Sequence, residues 1–287
     1  MDFRLTQDQK ALRAGVRELL ARRFDLRRAV DAGPVLDRAL WRELGEAGFF
    51  ALRLPEERGG VGLGAPEAVL AFEEAGRVLL PGPLIATHLA AGAVPGAAEG
   101  ETVVTAVDGS LVEWLDEADV VEGEVGDAVR VRSVDPLTPL HRVPSPATAG
   151  RDDVDLGVLL CAAEQLGSAG ATTEAAVAYA RSRTQFGQVI GAFQAVKHLC
   201  AEMLVRVEVA RAAVYAAAVT LDPVEVAGAK LLADEAAVRC ARDCLQVHGG
   251  MGFTWEADVH LHLKRAWVRA ERRLTAAAAE ETVAAAL

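Results

Sequence analysis

The sequence has few aromatic residues, few cysteines and no long hydrophobic run. Phe, Trp and Tyr make up 5% of its 287 residues, and Cys occurs four times. The richest apolar stretch, residues 209–221, is interrupted by Arg211 and is shorter than a membrane span of about 20 residues. The charged N-terminal residues do not fit a secretory signal. We therefore expect a cytoplasmic protein with no membrane partner.

Basic residues are also in deficit. The chain has 30 Lys and Arg against 41 Asp and Glu, which gives a formal net charge of −11 at pH 7. Nucleic-acid binding depends on a basic face, so nucleic acid is excluded as the main partner. A local basic patch for a phosphorylated cofactor is still compatible with this balance. With 52% hydrophobic residues the chain is too apolar for disorder, and the shortage of aromatics favours helix over sheet.

The cysteines give no complete metal-binding pattern. All four fall inside helix-like stretches: Cys161, Cys200, Cys240 and Cys244. Cys240 and Cys244 are one helical turn apart, but no further Cys or His completes a ligand set. His260 and His262 are two residues apart and do not share a helical face, so we expect them to pack at a surface or interface. The sequence therefore predicts no metal site, and buried cysteines in a reducing compartment.

Residues 1–98 are predicted to form an N-terminal α-helical domain, because their apolar positions recur at helical spacing. Thr6 and Gln9 fit a capping box at the start of the first helix. The glycine-rich stretch 59–64 lacks the G-x-G-x-x-G spacing and the Walker lysine of phosphate-binding loops. We interpret it as a tight connection between helices that needs positive φ, with nucleotide binding as the alternative.

Residues 99–150 differ from the rest and are predicted to form a small β module. Residues 102–107 and 128–133 contain β-branched residues between turn signals, and 118–124 is a weaker strand candidate. Four prolines cluster near the end of the module: Pro136, Pro139, Pro144 and Pro146.

Residues 151–287 are helical throughout. Four long helical segments are predicted: Val154–Arg183, Ala192–Leu221, Pro223–His248 and about Glu256–Ala286. Because the connections are short, the helices are expected to pack as an antiparallel four-helix bundle.

Two glycine-containing segments at helix ends carry the most information about function. Arg183 ends the first bundle helix and is followed by a turn at Gly187, whereas Gln246 precedes the pair Gly249-Gly250 at the end of another helix. A guanidinium can bind a diphosphate bidentately, and adjacent glycines let a ligand approach backbone N–H groups. Spacing alone fits helix termination equally well.

These segments resemble the acyl-CoA dehydrogenase family. Its most specific motifs are similar to residues 183–187 together with Phe193-Gln194, and to the Q-x-x-G-G pattern at 246–250. The N-terminal helix start and residues 43–64 are also similar, so the resemblance covers nearly the whole chain in order. It implies a mostly α fold with an N-terminal helical domain, a central β module and a C-terminal four-helix bundle.

The resemblance also implies a reaction. Such enzymes bind FAD and oxidise an acyl-CoA thioester to the trans-2-enoyl form, with electron-transfer flavoprotein as the expected acceptor. A carboxylate removes the α-proton while the flavin takes the hydride from the β-carbon. In the family, residues of the two motifs hold the ADP half of an FAD bound mainly by a neighbouring subunit. Carried over, the cofactor-binding residues are Arg183, Phe186, Gln194, Gln246, Gly249 and Gly250.

Two departures from the family stand out. The β module is much shorter than the family's β-domain and lacks its segment of Thr, Glu, Gly and Ser that lines the flavin ring. The two sequence positions at which members place the catalytic carboxylate correspond here to Arg273 and Gly157. Glu271 and Glu164 lie near these positions but do not align with them, so they are weak candidates. No catalytic base is assigned, because an arginine or a glycine cannot accept the α-proton.

Both departures are typical of the short, diverged subunit of actinobacterial α2β2 heterotetrameric acyl-CoA dehydrogenases, many of which act on steroid side chains. The resemblance predicts that a longer homologous subunit holds most of the FAD and supplies the base, while this chain completes the ADP end. One alternative is a self-sufficient FAD-dependent homo-oligomer that uses Glu164 or Glu271 as its base. Another is a non-catalytic structural homologue without flavin.

Overall fold

The computed structural model describes residues 4–148 and 153–287. Five helices come first: α1 (Gln7–Arg23), α2 (Leu26–Ala32), α3 (Arg38–Glu46), α4 (Ala65–Arg77) and α5 (Leu84–Ala90). The predicted capping box is present, since Thr6 Oγ1 accepts from Gln9 N at 3.2 Å and Gln9 Oε1 accepts from Thr6 N at 3.0 Å. In the glycine-rich loop, a Cβ on Gly60 would lie 1.9 Å from the Leu54 carbonyl oxygen. The loop is therefore the tight connection that the sequence predicts.

The central sheet has the order β2-β1-β4-β3. Its strands are β1 (Val104–Glu113), β2 (Val120–Glu122), β3 (Val129–Val131) and β4 (Leu140–Thr148). Strand β1 runs parallel to β2 and antiparallel to β4. The sequence did not predict β4 because of its prolines. Pro144 and Pro146 lie where the register shifts between the pairs Leu111–Arg142 and Gly109–Ala147, so the strand accommodates them at an irregularity.

The C-terminal region is a four-helix bundle whose last helix is interrupted. Its helices are α6 (Val154–Ser182), α7 (Gln194–Thr220), α8 (Pro223–His248), α9 (Val259–Ala270) and α10 (Ala276–Ala284). A short hairpin of β5 (Thr184–Gln185) and β6 (Gln188–Val189) joins α6 to α7. Because α7 is antiparallel to both of its neighbours, α6 and α8 run parallel and end at the same end of the bundle.

The prediction of one continuous helix over about Glu256–Ala286 was wrong. The helix breaks at residues 271–275, where Arg273 has a left-handed backbone conformation with φ of 67°. The Arg273 N–H donates to the Asp108 carboxylate of β1 at 2.7 Å, and Thr275 caps the start of α10. A contact with a distant strand therefore replaces a helical hydrogen bond, and local sequence spacing does not reveal such a contact.

The core runs without interruption from the N-terminal helices into the bundle. Trp41 is buried against Phe50 with ring centroids 4.6 Å apart. Three of the four free cysteines are buried, whereas Cys200 is half-buried. The expectation that His262 packs at a surface or interface was wrong: it is buried within the chain, its Nδ1 lies 2.8 Å from Ser168 Oγ, and burial lowers its pKa to about 3.

Within residues 4–148 and 153–287, no helix combines the length and apolarity that crossing a bilayer requires. Over the same ranges no group of three or more His, Cys, Asp or Glu is arranged to hold a metal ion.

Candidate functional site

The two family-like motifs meet at one end of the bundle. Arg183 directly follows α6, while Gln246 lies in the last turn of α8 and is followed by Gly249-Gly250. The rings of Tyr179 and His248, from the last turns of α6 and α8, are stacked with centroids 4.1 Å apart and an interplanar angle of 19°. The motifs are about 60 residues apart in sequence and belong to one surface because these two helices end together.

All six residues proposed to contact the cofactor are exposed. Phe186 is 91% exposed, with a positive φ of 54°, and makes an edge contact with Phe193. Gln194 Nε2 lies 2.9 Å from His198 Nε2. Among the described residues, the Arg183 side chain has no hydrogen bond or ion pair. This end of the bundle thus presents an uncompensated guanidinium and a large uncovered aromatic ring to solvent.

The two adjacent glycines differ in why they lack a side chain. Gly249 has φ of +60°, a conformation that favours glycine in any case. Gly250 has neither a positive φ nor a heavy atom within 4 Å of the place that a Cβ would occupy. The packing and backbone of this chain therefore do not explain the glycine at position 250. Its exposed backbone is open to close approach by another molecule.

A second region of interest lies where the N-terminal helices, the sheet and the bundle meet. Gly157 and Arg273, the two positions that the resemblance matches to the family's catalytic carboxylates, are close together: a Cβ on Gly157 would lie 2.9 Å from Arg273 Nη1. The neighbouring cavity is lined by residues of α5, β1, α6 and α9, and its volume is about 30 Å³. That volume has room for one or two water molecules.

Three ion pairs lie at this junction. Arg269 Nη2 lies 2.9 Å from Glu164 Oε1, and both side chains are less than 10% exposed. Arg265 is paired with Asp135, and Arg272 Nε lies 3.4 Å from the Asp108 carboxylate. Burial raises the pKa of Glu164, and the charge of Arg269 only partly opposes this effect.

Neither weak candidate for the base has a free carboxylate in the cavity. Glu164 lines the cavity, but its carboxylate is paired with Arg269. Glu271 is exposed at the C-terminal cap of α9 and is not part of the cavity lining. The absence of an assignable base on this chain stays a prediction.

Sequence reasoning missed the charged network in this cavity. Its arginines are Arg265, Arg269, Arg272 and Arg273, and the first three are spaced four and three residues apart. Arg265 and Arg269 share one face of α9, and Arg272 follows in the break after that helix, so the repeated arginines were the available sequence signal for this network. The carboxylate partners Asp108, Asp135 and Glu164 come from three distant segments, and no local pattern connects them.

Comparison with known proteins agrees with the fold and the motifs. The acyl-CoA dehydrogenase N-terminal domain model matches residues 6–101, and the C-terminal domain model matches residues 153–273. The acyl-CoA dehydrogenase IpdE2 of Mycobacterium tuberculosis is 36% identical over 91% of both chains.

Two solved structures share the fold. A chain of the ChsE4–ChsE5 complex from Mycobacterium tuberculosis has a TM-score of 0.84 at 24% identity and covers 99% of this chain and 98% of that one. A chain of the Tcur3481–Tcur3483 steroid ACAD has a TM-score of 0.82 at 23% identity, with 97% of both chains covered. The matched domain models and the extent of the IpdE2 similarity decide the assignment: the chain belongs to the acyl-CoA dehydrogenase family of oxidoreductases.

Proposed function

We propose that the chain is a subunit of an FAD-dependent complex that α,β-desaturates an acyl-CoA thioester. In this proposal a longer homologous subunit holds the flavin ring and supplies the catalytic base, and the assembly is an α2β2 heterotetramer. This chain completes the ADP end of the partner's FAD. Electron-transfer flavoprotein is the proposed acceptor, and a bulky or steroid-derived acyl group is the proposed substrate. The two structural neighbours, one a complex and the other a steroid ACAD, support the partner and the substrate class.

The observation that carries the proposal is the contrast between the two regions. At the junction, the positions of the family's bases are a glycine and an arginine, and the cavity of about 30 Å³ is too small for an isoalloxazine ring. At the bundle end, Arg183 and the backbone of Gly249-Gly250 are exposed and suit a diphosphate. These two regions support a role for the chain at the ADP end of FAD rather than at its ring.

The residues at the bundle end have the following proposed roles. FAD, when bound, supplies the acceptor for the hydride from the β-carbon. Arg183 would hold the diphosphate through its guanidinium, and the exposed, uncrowded backbone at Gly250 would let the diphosphate approach closely. Gln246 and Gln194 offer amide groups to the nucleotide from α8 and α7, on either side of the same bundle end.

The first prediction concerns the flavin content of the chain by itself. Purified alone, it is expected to be colourless and inactive, because its junction cavity cannot take the ring. Co-expressed with a longer homologue that has a full β-domain and an aligned Glu, it should yield a yellow complex that oxidises acyl-CoA with a dye acceptor. Flavin absorbance and turnover are the measurements. A yellow, active protein obtained without a partner would refute the proposal, and a colourless complex with every tested homologue would favour the structural alternative.

The second prediction tests the proposed role of Gly250 in FAD binding. Gly250→Ala is expected to leave the free energy of unfolding of the chain unchanged or raised by up to about 1 kcal/mol, since the position is neither strained nor crowded. In the complex, a methyl group against a bound nucleotide should cost about 1–3 kcal/mol of FAD binding. Urea unfolding and FAD titration of the apo-complex measure the two effects.

Gly228→Ala is the matched control for this experiment. Gly228 lies inside α8, and it too has no positive φ and no heavy atom within 4 Å of the methyl group that the substitution adds. The substitution should stabilise the chain and leave FAD affinity unchanged. If Gly228→Ala and Gly250→Ala behaved alike in the titration, position 250 would have no special role.

A further inference from the structure

The stacked pair Tyr179–His248 lies directly between the two motifs at the bundle end. Tyr179 is four residues before Arg183, and its carbonyl accepts the Arg183 N–H at 2.8 Å. His248 is the last residue of α8 and immediately precedes Gly249. Each ring is therefore attached to the backbone of one motif, and the 4.1 Å stack joins the two.

The His248 ring is held in place from its other side. Its Nδ1 lies 2.8 Å from the Cys244 carbonyl oxygen, one turn back in α8, so Nδ1 carries the proton and donates. This hydrogen bond fixes the plane of the imidazole, and the neighbouring phenol ring lies nearly parallel to it at 19°. Both side chains are half-buried, whereas residues 181–189 and 249–251 beyond them are exposed.

The exposed motifs need such a connection. The hairpin after α6 is closed by its own bonds, including Ile190 N to the Arg183 carbonyl at 2.8 Å, and the segment after α8 is a short 3₁₀ turn. A diphosphate bound by both requires the distance between the Arg183 guanidinium and the Gly249-Gly250 backbone to be set before binding. Preorganisation of this kind lowers the entropic cost of binding.

We propose that Tyr179 and His248 are positioning residues that hold the two ADP-binding motifs at a fixed separation. The inference rests on the proposed function, because it assigns the stack a role in binding the ADP end of FAD. Neither ring needs to touch the nucleotide. The stack acts through Arg183 on one side and through the Gly249-Gly250 backbone on the other.

The test uses the complex with its partner subunit, stripped of flavin and titrated with FAD. Tyr179→Leu removes the stack and should weaken FAD binding by about two- to tenfold, the range that corresponds to an aromatic pair. Tyr179→Phe retains the ring and should restore wild-type affinity. His248→Leu provides a second removal in case the first variant folds poorly. At saturating FAD, kcat should be unchanged in all three, because the reacting atoms are elsewhere.

Trp41→Phe separates this role from general stability. Trp41 is buried in the core of the N-terminal helices, so its substitution should lower the melting temperature without changing FAD affinity. Wild-type FAD affinity in both Tyr179→Leu and His248→Leu, or equal weakening by Tyr179→Leu and Tyr179→Phe, would overturn the inference. If Arg183→Ala still lost FAD in that case, the proposed function would stand without a role for the stack; if Arg183→Ala also bound normally, the proposed function would fall too.

Discussion

Replacing Asp135 with alanine is expected to lower the free energy of unfolding of the chain by about 3–5 kcal/mol, because it leaves the buried charge of Arg265 without its partner. Arg265 and Asp135 are 3% and 2% exposed. A guanidinium stays charged in a protein, so the variant cannot relieve the cost by losing a proton. Chemical denaturation of the chain, followed by circular dichroism, measures the loss.

The position of the pair explains why the effect should be large. Asp135 accepts from Leu137 N at 3.1 Å and from Thr138 Oγ1 at 2.6 Å. Arg265, in α9, donates to the Leu80 carbonyl at 3.3 Å and to the Leu137 carbonyl at 3.4 Å. Although burial by itself would raise the pKa of Asp135, the charge of Arg265 and the hydrogen bonds that the Asp135 carboxylate accepts hold that pKa below its usual value. The pair thus links the bundle, the sheet region and the segment after α4.

Two controls define the result for Asp135. Glu235→Ala breaks the exposed pair with Arg239 on α8 and should cost no more than about 0.5 kcal/mol. The double variant Asp135→Leu with Arg265→Met removes both charges and should recover most of the stability, since a buried pair replaced by apolar groups is often neutral. A loss below about 1 kcal/mol for Asp135→Ala would contradict the assignment of this pair as buried and essential to packing.

Local patterns predicted most of the helices and both motifs, because each depends on neighbouring residues. The capping box at Thr6 and the ends of α6 and α8 follow from sequence spacing alone. The break at Arg273 could not be predicted this way, since its cause is a hydrogen bond to Asp108 of β1, 165 residues away. Strand β4 was missed because a proline-rich segment normally argues against a strand, and only the register shift accommodates it.

The same distinction between local patterns and distant contacts applies to the candidate site. The exposed motif residues were assigned from their resemblance to the acyl-CoA dehydrogenase motifs, since their spacing alone also fits helix termination. The closed junction was not, since its ion pairs join α6, α9 and two parts of the sheet region. Under the proposed function, that closure distinguishes a subunit that completes a partner's site from an enzyme with its own. The informative feature of this family member is thus a tertiary arrangement of charges, whereas its motifs alone fit both kinds of subunit.

Replacing Arg183 with alanine is expected to strip FAD from the complex with its partner subunit while leaving the chain folded. Removing one member of a hydrogen-bonded charge pair in an interface costs about 2–5 kcal/mol, which corresponds to a loss of affinity of roughly 30-fold to several thousand-fold. The stability of the fold should not change, because the Arg183 side chain is exposed and has no partner among the described residues. Flavin absorbance after gel filtration and the melting temperature of the chain measure the two effects.

Arg181→Ala is the matched control for Arg183. Arg181 is exposed in the last turn of α6, two residues before Arg183, so both guanidiniums share the same helix end and the same favourable interaction with its dipole. Arg181 lies within α6, whereas Arg183 is the extended residue that follows it, and only Arg183 belongs to the motif. Arg181→Ala should therefore retain flavin within about twofold, a change of less than ~0.5 kcal/mol. Equal flavin loss in both variants would indicate a general electrostatic attraction of this helix end for an anion, and equal retention would remove the diphosphate role of Arg183.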